Sequence, residues 1–190
     1  MRVQNEFRVP PFDGGNTLYF RNSEGLWRSD SPALPSSLVR SFPLPADVRD
    51  RLFSSEMARV GNRLFFIAHD PSTGAELWKS DGTPESTVLV KDIQMGTTTR
   101  SSGPRGNPGE VEEVPNSSFP TMLVGANDLL FFTATDGTNN GLWRSDGTSE
   151  GTIFLKGDGA APLPHAELNG QFFFTAGTLR SLWKTDGTLV

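Results

Sequence analysis

The chain has 190 residues, 35% of them hydrophobic and 21% charged, enough for one domain with a substantial core and too apolar for a disordered chain. Its 17 basic and 22 acidic side chains leave a net charge of −5, so no basic field marks a nucleic-acid partner, and the absence of cysteine removes disulfides, thiol catalysis and thiolate metal sites. The opening Met1–Glu6 lacks the apolar run of a signal peptide, and no stretch nears the roughly 18 consecutive apolar residues of a membrane span.

In chain order, the first apolar piece is Glu6–Val9, an orphan strand candidate ahead of Pro10 and Pro11. A first unit follows over about 12–42. It holds the aromatic strand Thr17–Phe20, then Gly25-Leu26-Trp27-Arg28-Ser29-Asp30, then Leu38–Phe42. The connector after it contains Ala46–Phe53, which could form a helical turn. The second unit, 57–93, adds a leading strand, Met57–Val60. After the Gly61-Asn62 turn come Arg63–Ala68, then Glu76-Leu77-Trp78-Lys79-Ser80-Asp81-Gly82-Thr83, and last Thr87–Ile93. Residues 94–120 are polar, rich in Gly and Pro and without a period, which predicts a mobile surface loop. The third unit, 121–158, repeats the order with Met122–Gly125, Leu129–Ala134, Gly141-Leu142-Trp143-Arg144-Ser145-Asp146-Gly147-Thr148 and Thr152–Lys156. The fourth, 165–190, has Ala166–Leu168, Gln171–Ala176 and Ser181-Leu182-Trp183-Lys184-Thr185-Asp186-Gly187-Thr188, and stops where its last strand is due.

All four tryptophans therefore occupy one place in the unit, at steps of 51, 65 and 40 residues. Both faces of Leu64–Ala68 are apolar, where a half-exposed strand would alternate. Two apolar faces need cover on both sides, which stacked four-stranded sheets supply. The expectation is a single all-β domain over 1–190, a β-propeller-like array of about four four-stranded antiparallel blades. Trp78, Trp143 and Trp183 should be buried between neighbouring blades. Glu6–Val9 could close the array against the strand of Trp183, or the array could be an open arc.

On these residues the chain resembles the ELWxxDGT repeat family, bacterial proteins expected to form β-propellers and often part of large exported or cell-surface chains. Unit two fits best; Gly141 and Ser181 replace the family's Glu, and unit one lacks the Gly-Thr. The family brings no catalytic residues to carry over. Asp70-Pro71-Ser72-Thr73-Gly74-Ala75-Glu76-Leu77-Trp78 also looks like the repeat of pyrroloquinoline-quinone-type propellers, but units three and four lack that turn. The resemblance implies a non-enzymatic binding or structural module, outside the cell or on its surface, with a protein or glycan partner; charge and composition add the expectation of no nucleic acid and no membrane insertion, and no cofactor is expected. The rival is a propeller enzyme whose site is supplied by connectors or by further blades.

The chemistry-bearing candidates are few. Asp81, Asp146 and Asp186 each precede Gly-Thr; a calcium site would need about six to eight oxygens, whereas a turn needs only the Asp side chain folded onto its own backbone. His69 and His165 fall at unlike places in their units. Gly147-Thr148-Ser149-Glu150-Gly151 spells a nucleophile elbow, but a strand follows it instead of a helix. One basic residue follows each tryptophan: Arg28, Lys79, Arg144 and Lys184. Strand alternation turns it to the face opposite the indole. These four either form a ring that captures an anion or pair with acids such as Glu76, Asp81 or Asp146 of a neighbouring unit.

Overall fold

The computed structural model describes residues 12–13, 17–22, 24–31, 33–42, 56–101, 111–157, 163–176 and 181–188. Two expectations, the strand at Glu6–Val9 with its closing role and the helical turn at Ala46–Phe53, lie outside them. Every described element is a strand, and all pairings are antiparallel.

Sheet I orders β1 (Phe12–Asp13), β2 (Leu18–Arg21), β3 (Gly25–Ser29) and β4 (Ser37–Ser41) consecutively. Sheet II does the same with β5 (Met57–Val60), β6 (Arg63–Asp70), β7 (Gly74–Ser80) and β8 (Val88–Lys91). Strands β9 (Thr97–Ser101) and β10 (Val111–Pro115) make a two-stranded ribbon. Sheet III runs β11 (Thr121–Ala126), β12 (Leu129–Thr135), β13 (Asn140–Ser145) and β14 (Ile153–Lys156). In sheet IV the described strands are β15 (Leu163–Leu168), β16 (Gln171–Ala176) and β17 (Ser181–Thr185).

The register is the same in all four sheets. Trp27 faces Phe20, Trp78 faces Phe66, Trp143 faces Phe132 and Trp183 faces Phe174 across the central strand pair. The residue after the indole faces the other aromatic: Arg28 with Tyr19, Lys79 with Phe65, Arg144 with Phe131 and Lys184 with Phe173. A two-residue side-chain period then sorts each sheet into a tryptophan face and a cation face.

The core lies between successive sheets. The cation face of sheet I gives Leu26 and Val39 to a cluster with Leu64, Phe66, Ala68 and Trp78 from sheet II. Phe65, Leu77 and Val90 of sheet II meet Leu130, Phe132, Ala134 and Trp143 of sheet III. Phe131, Leu142 and Leu155 of sheet III meet Phe172, Phe174 and Ala176 of sheet IV. Burying each such side chain stabilises by about 1.5–3 kcal/mol relative to leaving it in water. The leading strands of the last three sheets also touch. Strand β11 lies between β5 and β15, and a Cβ on Gly125 would stand 2.5 Å from the Arg59 carbonyl.

Four expectations need correction. The loop drawn over 94–120 contains the β9–β10 ribbon, because its Thr and Val residues pair even though no hydrophobic period announces them. Sheet I has a leading strand, Phe12–Asp13, paired with Tyr19 and Leu18. The leading strand of unit four begins at Leu163 rather than Ala166, with a register shift between Pro164 and Ala166. Trp183 is 38% exposed, against 4% for Trp78 and 5% for Trp143.

Candidate functional site

In sheets II and III the Asp-Gly-Thr segments turn the chain from the tryptophan strand toward the fourth strand. The Asp146 carboxylate accepts from the Thr148 N–H at 2.8 Å and its hydroxyl at 2.7 Å; Asp186 holds Thr188 the same way at 2.9 and 2.6 Å. Asp81 takes Thr83 N–H and hydroxyl at 3.0 and 2.9 Å, and the Ser86 hydroxyl besides. These bonds hold the Asp carboxyls below the ordinary range, with Ser86, Thr148 and Thr188 respectively as the main cause. The Gly147 N–H donates back to Ser145 Oγ at 2.9 Å, and that hydroxyl bonds Thr152 at 2.7 Å. The Gly-Thr-Ser-Glu-Gly spelling is the tail of this turn and leads into β14.

Each turn is also half of a joint between sheets. Its glycine sits at positive φ (98° at Gly82, 90° at Gly147, 94° at Gly187) against the ring and cation of the preceding sheet. A Cβ on Gly147 would come within 3.3 Å of the Phe65 ring and 3.6 Å of the Lys79 stem; one on Gly187 would come within 3.6 Å of Phe131 and 3.4 Å of Arg144. On Gly82 it would strike the Tyr19 hydroxyl. The backbone conformation and the close approach together demand glycine.

The four cations find their place here. Arg28 donates to the Gly82 carbonyl at 2.9 Å and also pairs with Asp30 of its own sheet at 2.6 Å. Lys79 Nζ donates to the Gly147 carbonyl at 2.6 Å. The Arg144 stem lies on Gly187, and its buried Nε has no hydrogen-bond partner. Lys184 is exposed, and no following sheet is described. Where Arg28 and Lys79 reach the next sheet, the acceptor is a turn carbonyl rather than the carboxylate of Glu76, Asp81 or Asp146.

Sequence reading missed a second cation series at the end of each fourth strand: Arg40, Lys91 and Lys156, which face Leu26, Leu77 and Leu142. Arg40 donates to the Thr87 carbonyl of the next sheet at 2.7 Å, and Lys91 to that of Thr152 at 2.9 Å. Arg40 and Lys156 lie over the next indoles, 4.9 Å from Trp78 and 4.2 Å from Trp183. The signal was present as a basic residue after each strand-four aliphatic, in Val39-Arg40, Val90-Lys91 and Leu155-Lys156.

Two further places hold unusual chemistry. Glu76 is fully buried, in the position held elsewhere by Gly25, Gly141 and Ser181. Its Oε1 accepts from the Ser118 N–H at 2.9 Å and its Oε2 from the Ser118 hydroxyl and the Ile93 N–H, so it clasps both ends of the segment bearing the β9–β10 ribbon. Burial pushes its carboxyl up to about 7 despite these bonds. The clasp occupies both oxygens and keeps them from solvent, so Glu76 serves as a tie and not as a proton-transfer group. The second place is a cleft of about 430 Å³ between sheets I and II, lined by Arg40, Asp70, Thr73, Trp78, Val88 and Leu89. Burial alone would raise the Asp70 carboxyl, but bonds from Ser72 and the nearby Arg40 charge bring it below the usual range. His69 lies on β6 beside it. His165 lies on β15.

No protein-family model, curated protein or solved structure matches the chain.

Proposed function

We propose that this chain is a non-enzymatic binding or structural module of the ELWxxDGT kind, a propeller-like array of about four blades within an exported or cell-surface protein. The observation that carries the reading is the joint made by Gly82, Gly147 and Gly187, each seated on the ring and cation of the sheet before it. The three joints have one direction and one chemistry, as stacked blades require. The adjacency of β5, β11 and β15 supports the same arrangement, with leading strands gathered on one side. Such a scaffold presents rigid grooves and connectors to a partner, and the cleft at Arg40 and the β9–β10 ribbon are the sites offered. Among the described residues no helix is long and apolar enough to cross a membrane.

The test pairs a glycan and protein binding array with a panel of chromogenic ester, glycoside and phosphoester substrates. The module reading expects saturable binding and no turnover above buffer. Turnover that co-purifies with the folded chain, or an array with no ligand at all, overturns the binding reading.

A further inference from the structure

The tryptophan position is repeated, but its indole N–H is treated differently in each sheet. Trp27 Nε1 donates to Asn22 Oδ1 at 3.0 Å, and Trp143 Nε1 donates to the Ala134 carbonyl at 3.1 Å. Trp78 is 4% exposed, and its Nε1 is buried with no acceptor. A buried donor left unmet costs about 1–3 kcal/mol, so its survival beside two satisfied counterparts calls for an explanation. The Thr73 hydroxyl on the β6–β7 turn is a second buried polar group with no partner. Both residues line the cleft between sheets I and II.

The remaining walls define what fits. Arg40 has one Nη on the Thr87 carbonyl and lies over the Trp78 ring, leaving further donors of its fork toward the cleft. Opposite it, the Asp70 carboxylate takes the Ser72 N–H at 2.9 Å and hydroxyl at 2.5 Å on one oxygen. The two charges cancel, so the cleft does not select an ion. An indole N–H can only donate, a carboxylate can only accept, and a threonine hydroxyl does either. Val88 and Leu89 add an apolar wall. A neutral molecule with several hydroxyls, each both donor and acceptor, mounted on an apolar C–H face, matches this set. The cleft, about 430 Å³ and widely open to solvent, has room for one sugar ring.

We propose that this cleft is a subsite for a neutral sugar residue, whose hydroxyl oxygens accept from Trp78 Nε1, Thr73 Oγ1 and Arg40 while another hydroxyl donates to Asp70. The proposal deepens the binding-module reading and rests on it. Trp78 Nε1 and Thr73 Oγ1 lie below the surface, so the proposal includes an opening of the cleft wall over them as the sugar enters. Sheet III also has a threonine, Thr138, five residues before its tryptophan, but its indole is already bonded to the Ala134 carbonyl. The inference therefore assigns one subsite rather than one per sheet.

The test follows the four indole N–H resonances of the ¹⁵N-labelled chain, assigned through bonds, during titration with D-glucose, D-galactose or D-mannose at millimolar concentration. Acetate and glycine serve as ionic controls. At least one sugar should shift the Trp78 resonance saturably and leave Trp27 and Trp143 in place. Thr73→Val, nearly the same shape, should weaken that binding about tenfold, as should Arg40→Met, with the other indoles reporting an intact fold. A silent Trp78 with all three sugars, equal shifts from acetate or glycine, or undiminished binding by Thr73→Val overturns the subsite. If the glycan array still shows a ligand while Trp78 stays silent, the module reading stands and the cleft assignment fails. If neither responds, both fail.

Discussion

Sheets III and IV spell their central strands alike, yet they differ in what water reaches. Leu142 is fully buried and Leu182 is 66% exposed; Trp143 is 5% exposed and Trp183 38%. Leu142 is covered by Phe172 and Phe174 of sheet IV, and beyond Leu182 no further sheet is described. Trp143 lies against Phe154, the fourth strand of its own sheet, and sheet IV has no described counterpart to β14. The motif therefore specifies an interface rather than a self-sufficient sheet. Among the described residues Trp78 and Trp143 have the burial expected of them and Trp183 does not.

Truncation should separate the two sheets most strongly. Trp143→Ala is expected to cost about 3–5 kcal/mol, while Trp183→Ala, already half in water, should cost no more than about 1–2 kcal/mol. Urea unfolding midpoints at constant slope provide the measurement; equal losses would mean that burial by a neighbour does not govern this position. The joint itself comes next. Gly147→Ala adds both a disfavoured φ and a clash with the Phe65 ring and the Arg63 guanidinium, and should cost roughly 2–3 kcal/mol. Gly61 has a φ of 61°, within the left-handed well, and nothing within 4 Å, so Gly61→Ala should cost only about 1 kcal/mol. The difference between the two midpoints measures the close approach together with the less favourable φ of 90° at Gly147.

The third prediction uses Glu76, whose counterpart in sheet IV is the exposed Ser181. Its carboxyl rises from the model-compound value of 4.5 to about 7 in the fold. The folded chain keeps a proton that the unfolded chain releases across that window. The contribution of this group is therefore full below pH 4.5, shrinks as pH rises toward 7 and is constant above, a loss of about 1–3 kcal/mol. Thermal melts from pH 5 to 8 should show the decline, and Glu76→Gln should remove most of it. An unchanged slope in the variant would place the titration elsewhere. The smallest effect is expected from the cations. Lys79→Met deletes the bond to the Gly147 carbonyl and should cost about 1 kcal/mol, while Lys184→Met should fall within about 0.5 kcal/mol of zero, both by urea unfolding.

Much of this architecture was readable because it depends on local period and turn chemistry. The Asn-Gly joint at Asn169 and Gly170, the two-sided aromatic strands and the Asp-Gly-Thr turns each announce themselves within a few residues. The joints were half readable. The sequence shows the glycine of Asp-Gly-Thr only as a turn residue, since the ring it sits on lies in another sheet, 82 being brought to 19 and 147 to 65 only by folding. For the same reason the bonds of Arg28 and Lys79 to the next sheet are hidden in the sequence: their acceptors there are turn carbonyls, which every sequence has and none advertises, although Arg28 also pairs with the acid Asp30 of its own sheet. The ribbon at Thr97–Ser101 and Val111–Pro115 was hidden because its pairing uses Thr, Glu and Val without alternation. The cleft was invisible for a stronger reason. The letters around Trp78 and Trp143 give no sign of which indole finds an acceptor; the missing one at Trp78 shows only in the fold.

The Gly joint has a genealogical consequence. Ring and cation lie on one face of a unit, and the glycine that seats on the previous ring travels with the tryptophan of the next. A segment copied in frame would thus arrive with its own plug and its own socket, and would fit between two existing units without a compensating substitution in either. Units can be duplicated or lost one at a time under this rule, while connectors such as the one bearing β9 and β10 lengthen independently. Unequal steps of 51, 65 and 40 residues around an unchanged joint are the trace such a history would leave.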